Sequence, residues 1–156
     1  VLLRVALARA GVDALIAADE SVRRAVDPLR VARAGAADVL VLKVAPLGGV
    51  RPALEIAAEC GLPVVVSSAL DTSVGIAAAA ALAAALPELP FACGLATTSL
   101  LTKDVVRSSL DGHGGSIPVG AVAADAALLD ALAASPDREA WWLSRLARCS
   151  ALLPAD

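Results

Sequence analysis

Three short apolar runs, each followed by polar residues, constrain the fold of this 156-residue chain more than any other feature of its sequence. The first run is followed by Asp19 and Glu20, the second by Lys43, and the third by Ser67 and Ser68. The runs recur about every 24 residues. Parallel barrels build their sites at the C-terminal ends of their strands, so this pattern predicts that the polar residues share one site.

Helical patterns separate these runs, and the sequence therefore predicts a repeating strand–helix unit. We predict strands over residues 15–18, 39–42, 64–66 and 91–93. We predict helices over residues 2–10, 27–35, 52–60, 71–86 and 99–106, several of them ended by glycine or proline. In the second helix, Asp27 is expected to be the N-cap and Pro28 the first helical residue.

Alternating strands and helices predict an α/β fold with a parallel sheet, either doubly wound or closed as a barrel. We favour the barrel because polar residues end three consecutive strands. Such a barrel needs eight strands, and only four are predicted here. Residues 1–108 are therefore expected to form half of a (β/α) TIM-type barrel.

Residues 109–156 have a different character and are expected to form a C-terminal helical tail. The tail is predicted to contain a short edge strand over 117–122 and amphipathic helices over 126–134 and 138–149. Trp141 and Trp142 are the only tryptophans, and they are expected to fix the tail on another surface. Ordinary packing against the same half-barrel is the alternative.

Composition and charge narrow the function classes. The net charge is −3 and the charges are scattered, so neither nucleic acid nor a membrane surface is an expected partner. The longest apolar run, residues 74–86, is too short to cross a bilayer. No secretory leader is visible, and the three cysteines form no metal pattern. We therefore expect a cytoplasmic protein.

Each candidate site residue has a structural alternative. Asp19 can bind a hard cation such as Mg²⁺, or it can stabilise a helix N-terminus. Lys43 can take part in catalysis at the rim of a buried strand, or it can extend its charge to solvent. Ser67 and Ser68 can bind an anion, or they can be turn and cap residues. His113, between glycines, is expected to be exposed.

An ordered set of motifs resembles the o-succinylbenzoate synthase family of the enolase superfamily, in its muconate-lactonizing-enzyme-like subgroup. The motifs are AADES, VLKVAPLGG, VVVSSALDTSVG and ACGL. The resemblance implies an α+β capping domain and a modified (β/α) barrel, of which this chain would supply the fifth to eighth strands. It implies that Asp19 is a Mg²⁺ ligand and Lys43 one of two active-site lysines. It also implies that the Ser67–Ser68 and Gly94–Leu95 turns line the substrate pocket.

The same resemblance implies an activity in menaquinone synthesis. The family catalyses the Mg²⁺-dependent syn dehydration of 2-succinyl-6-hydroxy-2,4-cyclohexadiene-1-carboxylate to 2-succinylbenzoate. Lys43 would stay protonated and stabilise the anion, while a second lysine removes the proton. That lysine, two further metal carboxylates and the capping domain would belong to an N-terminal half, the expected partner of this chain. The tail would pack on the capping domain.

Alternatives remain open at this point. N-succinylamino acid racemases and muconate cycloisomerases share the two-lysine plan. A different class of hypothesis is a non-catalytic fragment that requires its N-terminal half. The open edges of a half-barrel also predict self-association of the chain.

Overall fold

The computed structural model describes residues 2–153. Its centre is a parallel sheet with strand order β1-β2-β3, formed by β1 (Ala17–Ala18), β2 (Val39–Leu42) and β3 (Val64–Val66). The described part of the chain also contains α1 (Leu2–Arg9), α2 (Asp27–Arg33), α3 (Val50–Cys60), α4 (Ser73–Ala85), α5 (Ala126–Ala131) and α6 (Pro136–Ser150). The predicted α/β architecture of parallel strands is confirmed.

Parallel pairing fixes the register of the sheet. Ala17 lies opposite Val39, and Leu40 in turn lies opposite Val64. β1 is shorter than the predicted strand, although the Ile16 carbonyl still accepts a hydrogen bond from the Val39 amide at 3.2 Å. The three strands therefore run side by side in the same direction, and their carboxyl ends lie at one edge of the sheet.

The core lies between the sheet and the helices that cover it. Leu40, Leu42 and Val66 are fully buried, which explains why β2 and β3 read as continuous apolar runs. In α4, Ile76 and Leu82 are also fully buried. The alanines between them allow this helix to approach its neighbours closely.

The helices of the described chain differ from the predictions mainly at their ends: α5 stops at Ala131 and not at residue 134, and α6 begins at Pro136 and not at residue 138. Gly61 ends α3 in the left-handed region at φ 62°, as expected for a C-terminal glycine. The N-cap of α2 is Val26 and not Asp27, which lies in the first helical turn beside Pro28. The Asp27 carboxylate accepts a hydrogen bond from the Arg24 amide at 3.0 Å, so it closes the preceding turn.

Three predicted elements do not form. Residues 91–93 are not a strand; the contact with β3 is a single parallel bridge between Ser67 and Gly94. The helix predicted over 99–106 is replaced by a 3₁₀ turn, Thr97–Leu100. The edge strand predicted over 117–122 is absent, since Pro118 and Gly120 interrupt it.

A buried network explains why residues 101–110 are not helical. The Asp104 carboxylate accepts hydrogen bonds from the Ser73 amide at 3.2 Å, the Ser73 hydroxyl and the Val105 amide at 2.7 Å. The Ser73 hydroxyl in turn accepts from the Leu110 amide at 2.8 Å. This segment is therefore held at the N-terminus of α4, where a carboxylate is favourable.

The same network sets the ionisation of Asp104. Burial alone would raise the pKa of this carboxyl group. The hydrogen bonds from the Ser73 hydroxyl, the Ser73 amide and the Val105 amide outweigh burial, and the pKa of Asp104 is lowered from its ordinary value. Asp104 is thus a charged group that contributes to stability at neutral pH.

A second carboxylate connects α1 to the sheet. The Asp38 carboxylate accepts a hydrogen bond from the Ile16 amide at 2.8 Å and forms an ion pair with Arg4 at 2.9 Å. The hydrogen bond from the Ile16 amide is the larger cause that lowers the pKa of Asp38, and the hydrogen bond from the Arg4 guanidinium is the second. This contact joins the segments that lead into β1 and β2.

Between residues 2 and 153, the helices fall short of the length and apolar character that a membrane crossing requires.

Ser73→Ala is expected to lower the free energy of unfolding by about 1–3 kcal/mol at pH 7, because Asp104 loses a donor and the Leu110 amide loses its acceptor. Urea denaturation measures this loss. The folded-state pKa of Asp104 lies below the unfolded value, so its contribution is present above about pH 4 and disappears as the pH falls through the folded pKa. The difference between the variant and the unmodified protein should therefore shrink in acid.

Ser135→Ala is the matched control, since the exposed Ser135 side chain makes no capping hydrogen bond. Its effect is expected to stay within about 0.5 kcal/mol. Equal losses in the two variants would contradict the assignment of the Ser73–Asp104 network.

Candidate functional site

The first two predicted site residues meet at the carboxyl edge of the sheet. Asp19 follows β1 directly and Lys43 follows β2 directly. The Lys43 ammonium group donates to a carboxylate oxygen of Asp19 and forms an ion pair with it. The Lys43 side chain is 13% exposed, whereas that of Asp19 is 44% exposed. The lysine therefore lies deep in the site, and the carboxylate faces the opening.

The two serines lie at the same edge, after β3. Ser67 is half-buried, and its amide donates to the Leu42 carbonyl at 2.9 Å. Ser68 is buried, and its hydroxyl lies 3.2 Å from the Gly94 carbonyl and 2.8 Å from the Thr97 hydroxyl. The Ser68 hydroxyl is thus engaged by the protein, while Ser67 is the more accessible of the pair.

Backbone hydrogen bonds place the Gly94 turn beside Ser67. The Gly94 amide donates to the Val66 carbonyl at 2.9 Å, and the Gly94 carbonyl accepts from the Ser68 amide at 3.1 Å. A Cβ at Gly94 would lie 3.0 Å from the Ser67 hydroxyl oxygen, so this close approach favours glycine. The Leu95 side chain is buried and packs in the hydrophobic core.

A cavity of about 470 Å³ joins these polar groups. Its lining residues are Asp19, Glu20, Arg23, Lys43, Pro46, Ser67, Ser68 and Ala69. The structure therefore brings together four of the predicted site residues, Asp19, Lys43, Ser67 and Ser68. Gly94 borders them through Ser67, and Leu95 does not line this cavity.

Sequence reasoning missed Arg23, which lines the same cavity. A 3₁₀ turn, Glu20–Val22, follows Asp19, and residues three apart lie on one side of such a turn. Arg23 accordingly forms an ion pair with Glu20. The three-residue spacing of opposite charges after the strand end was the available signal. His113 lies outside the site and is exposed, 3.7 Å from Asp111.

Two carboxylates line this cavity, Glu20 in an ion pair with Arg23 and Asp19 in an ion pair with Lys43. Among residues 2–153, no group of three or more His, Cys, Asp or Glu side chains is placed to hold a metal ion. Mg²⁺ prefers several oxygen ligands, and the Asp19 carboxylate supplies the donor type that this ion takes. The donor chemistry of Asp19 therefore suits one of the several oxygen ligands that Mg²⁺ takes.

Parallel strands with polar residues at their carboxyl ends are the arrangement on which (β/α) barrel enzymes build their sites. The chain belongs to the family described as "Enolase C-terminal domain-like", whose sequence model matches residues 2–123. This confirms the resemblance drawn from the motifs.

Individual relatives carry the name of one enzyme within this family. The chain is 54% identical over 145 residues to o-succinylbenzoate synthase from Mycobacterium ulcerans, covering 93% of this chain and 44% of the relative. It is 55% identical over 145 residues to o-succinylbenzoate synthase from Mycobacterium leprae, covering 93% and 43%. The chain thus spans less than half the length of these curated relatives.

A solved structure gives the same fold. Muconate lactonizing enzyme from Pseudomonas fluorescens, complexed with muconolactone, matches with a TM-score of 0.66 and 30% sequence identity. The match covers 78% of this chain and 35% of that chain. The homologues of this chain are therefore enzymes of the enolase superfamily.

Thr97→Val is expected to lower the free energy of unfolding by about 1 kcal/mol, because the buried Ser68 hydroxyl loses its 2.8 Å partner. Chemical denaturation measures the change. Thr102→Val, at an exposed position, is the control and should have little effect. If Thr97→Val were as stable as the control, the hydroxyl pair would not hold the two turns together.

Proposed function

We propose that this chain supplies half of the active site of an o-succinylbenzoate synthase, a Mg²⁺-dependent carbon–oxygen lyase. The substrate would be 2-succinyl-6-hydroxy-2,4-cyclohexadiene-1-carboxylate and the product 2-succinylbenzoate, in menaquinone biosynthesis. The observation that carries the proposal is the meeting of Asp19 and Lys43 at the ends of adjacent parallel strands. The 54% identity to synthases over most of the chain supports the same choice.

Asp19 is proposed as one oxygen ligand of Mg²⁺, which when bound supplies positive charge at the ring carboxylate of the substrate. The largely buried Lys43 ammonium would stabilise the negative charge that develops when the proton beside that carboxylate is removed. Loss of that proton and of the ring hydroxyl, as one water, makes the ring aromatic. The base for the proton would be a second lysine outside this chain.

We assign substrate positioning to the Ser67–Ser68 and Gly94–Leu95 turns. The accessible Ser67 hydroxyl would contact substrate directly. Ser68 would act through its backbone and its bond to Thr97, since its hydroxyl is already engaged. Gly94 and Leu95 would contribute their backbone, because Gly94 has no side chain and Leu95 packs in the core.

The remaining parts of the site are proposed to lie in the portion of the relatives that this chain does not span. That portion would provide the second lysine, further metal carboxylates and the capping domain. Residues 1–108 would be the partial barrel, and residues 109–156 the tail that packs on the capping domain. The chain alone would self-associate through its open sheet edges. A cytoplasmic location fits the three free cysteines.

A muconate cycloisomerase is the second candidate, supported by the muconate lactonizing enzyme neighbour at 30% identity. The higher identity to the synthases favours dehydration. The remaining alternatives are an N-succinylamino acid racemase and a non-catalytic fragment. One protein can be assayed for dehydration, cycloisomerisation and racemisation.

The test is a chimera in which the segment of the Mycobacterium ulcerans relative that this chain matches is replaced by this chain. The chimera is expected to form 2-succinylbenzoate, followed by absorbance of the aromatic product. Lys43→Ala should lower turnover by about 10²- to 10³-fold, which is the loss typical of removing a positioned hydrogen-bond donor that stabilises developing negative charge. Asp19→Asn should raise the Mg²⁺ concentration for half-maximal activity by about tenfold or more, because a charged oxygen ligand is lost.

Lys103→Ala and Asp13→Asn are the matched controls, since both residues are exposed and neither lines the cavity. Both variants should keep the activity of the chimera. Unchanged turnover in Lys43→Ala would refute the proposed role of the lysine. Turnover of muconate or of an N-succinylamino acid, without dehydration, would select an alternative activity.

The tail gives an independent prediction. Trp141 and Trp142 are 46% and 51% exposed, and Arg138 lies 5.2 Å from the centre of the Trp141 ring. When the portion of the Mycobacterium ulcerans relative that this chain does not span is added, both rings are expected to become buried and their fluorescence emission to shift to the blue. A chain carrying Trp141→Phe and Trp142→Phe removes this signal and serves as the control. Emission that is already blue-shifted, and unaltered on mixing, would contradict packing on the capping domain.

A further inference from the structure

The active-site cavity contains two ion pairs at different depths. The pair of Asp19 and Lys43 includes a side chain that is only 13% exposed. In the pair of Glu20 and Arg23 the side chains are 70% and 61% exposed. Lys43 therefore lies at the floor of the cavity with Asp19 paired to it and facing the opening, and the more exposed pair of Glu20 and Arg23 lies at the rim.

The substrate of the proposed reaction has negative charge at two ends. Its ring carboxylate lies next to the carbon that loses the proton, and its succinyl side chain ends in a second carboxylate. The ring carboxylate belongs at the floor, where Asp19 and Lys43 are placed for the chemistry. The side-chain carboxylate then extends toward the opening, where a second positive charge is needed.

Arg23 is the charged donor at that opening. Lys43 and Arg23 are the two basic side chains that line this cavity. Its other lining residues are either acidic or uncharged. A guanidinium binds a carboxylate with two parallel hydrogen bonds, which makes arginine selective for this group. Exposed ion pairs contribute little to stability, so exchange of Glu20 for a substrate carboxylate requires little energy.

We infer that Arg23 is a specificity residue that binds the side-chain carboxylate of the substrate, while Glu20 holds the guanidinium at the rim in the absence of substrate. This inference rests on the proposed function. Arg23 acts on affinity for the dicarboxylate and leaves the proton transfer at the floor of the cavity unchanged.

The test compares two inhibitors in the chimera described above: 2-succinylbenzoate, and 2-butanoylbenzoate, which lacks the side-chain carboxylate. The unmodified chimera should bind the dicarboxylate about 10- to 100-fold more tightly. Arg23→Gln should abolish most of this preference, leave the inhibition constant of 2-butanoylbenzoate within about twofold, and raise KM with kcat within about threefold. Arg23→Lys should give an intermediate preference, since it keeps the charge and loses the fork.

Arg24→Gln is the matched control, because Arg24 is the adjacent arginine and does not line the cavity. It should keep the full preference. If the preference persists in both Arg23 variants while the chimera remains active, the inference is wrong and the proposed function stands. If the unmodified chimera neither forms product nor binds 2-succinylbenzoate, the proposed function fails and the inference fails with it. Should Arg23→Gln not fold, the preference measured for Arg23→Lys decides: a value equal to that of the unmodified chimera overturns the inference.

Discussion

Backbone hydrogen bonding between parallel strands is the constraint on which the site depends. Because β1, β2 and β3 run in one direction, the residues that follow them lie at one edge. Asp19 and Lys43 come together there although the chain between them forms a turn and a helix. The buried leucines of β2 fix the register, so a shift of one residue would move both the core and Lys43.

Side-chain hydrogen bonds complete the edge where regular strand pairing ends. Beyond β3, a single bridge joins Ser67 to Gly94, and the hydroxyl pair of Ser68 and Thr97 lies beside it. Farther along the chain, Asp104 is bonded to Ser73 at the start of α4. These contacts hold the turns that border the cavity, and they do so without a fourth strand. The positions of Ser67 and Gly94 therefore depend on a small number of polar groups.

The sequence predicted the parts of the fold that local patterns specify. β2 and β3 were predicted at their observed bounds, because continuous apolar runs between turn residues are typical of buried strands. The helix predicted over 99–106 was wrong, since Asp104 bonds with Ser73, a residue distant in sequence that no local pattern indicates. The site was predicted from strand ends and motifs. Arg23 was missed because its place at the cavity rim depends on a short 3₁₀ turn.

On the proposed function, the pair of Asp19 and Lys43 is half of a site that the portion of the relatives not spanned by this chain completes. The direct measurement is a complementation assay with excess Mg²⁺, in which this chain is mixed with the separately produced remainder of the Mycobacterium ulcerans relative. Neither part alone should catalyse dehydration, and mixing the two parts should give turnover that is lost with Lys43→Ala. Turnover by the chain alone within about tenfold of the intact relative would contradict this expectation, because a single carboxylate and a single lysine supply neither the metal site nor the base.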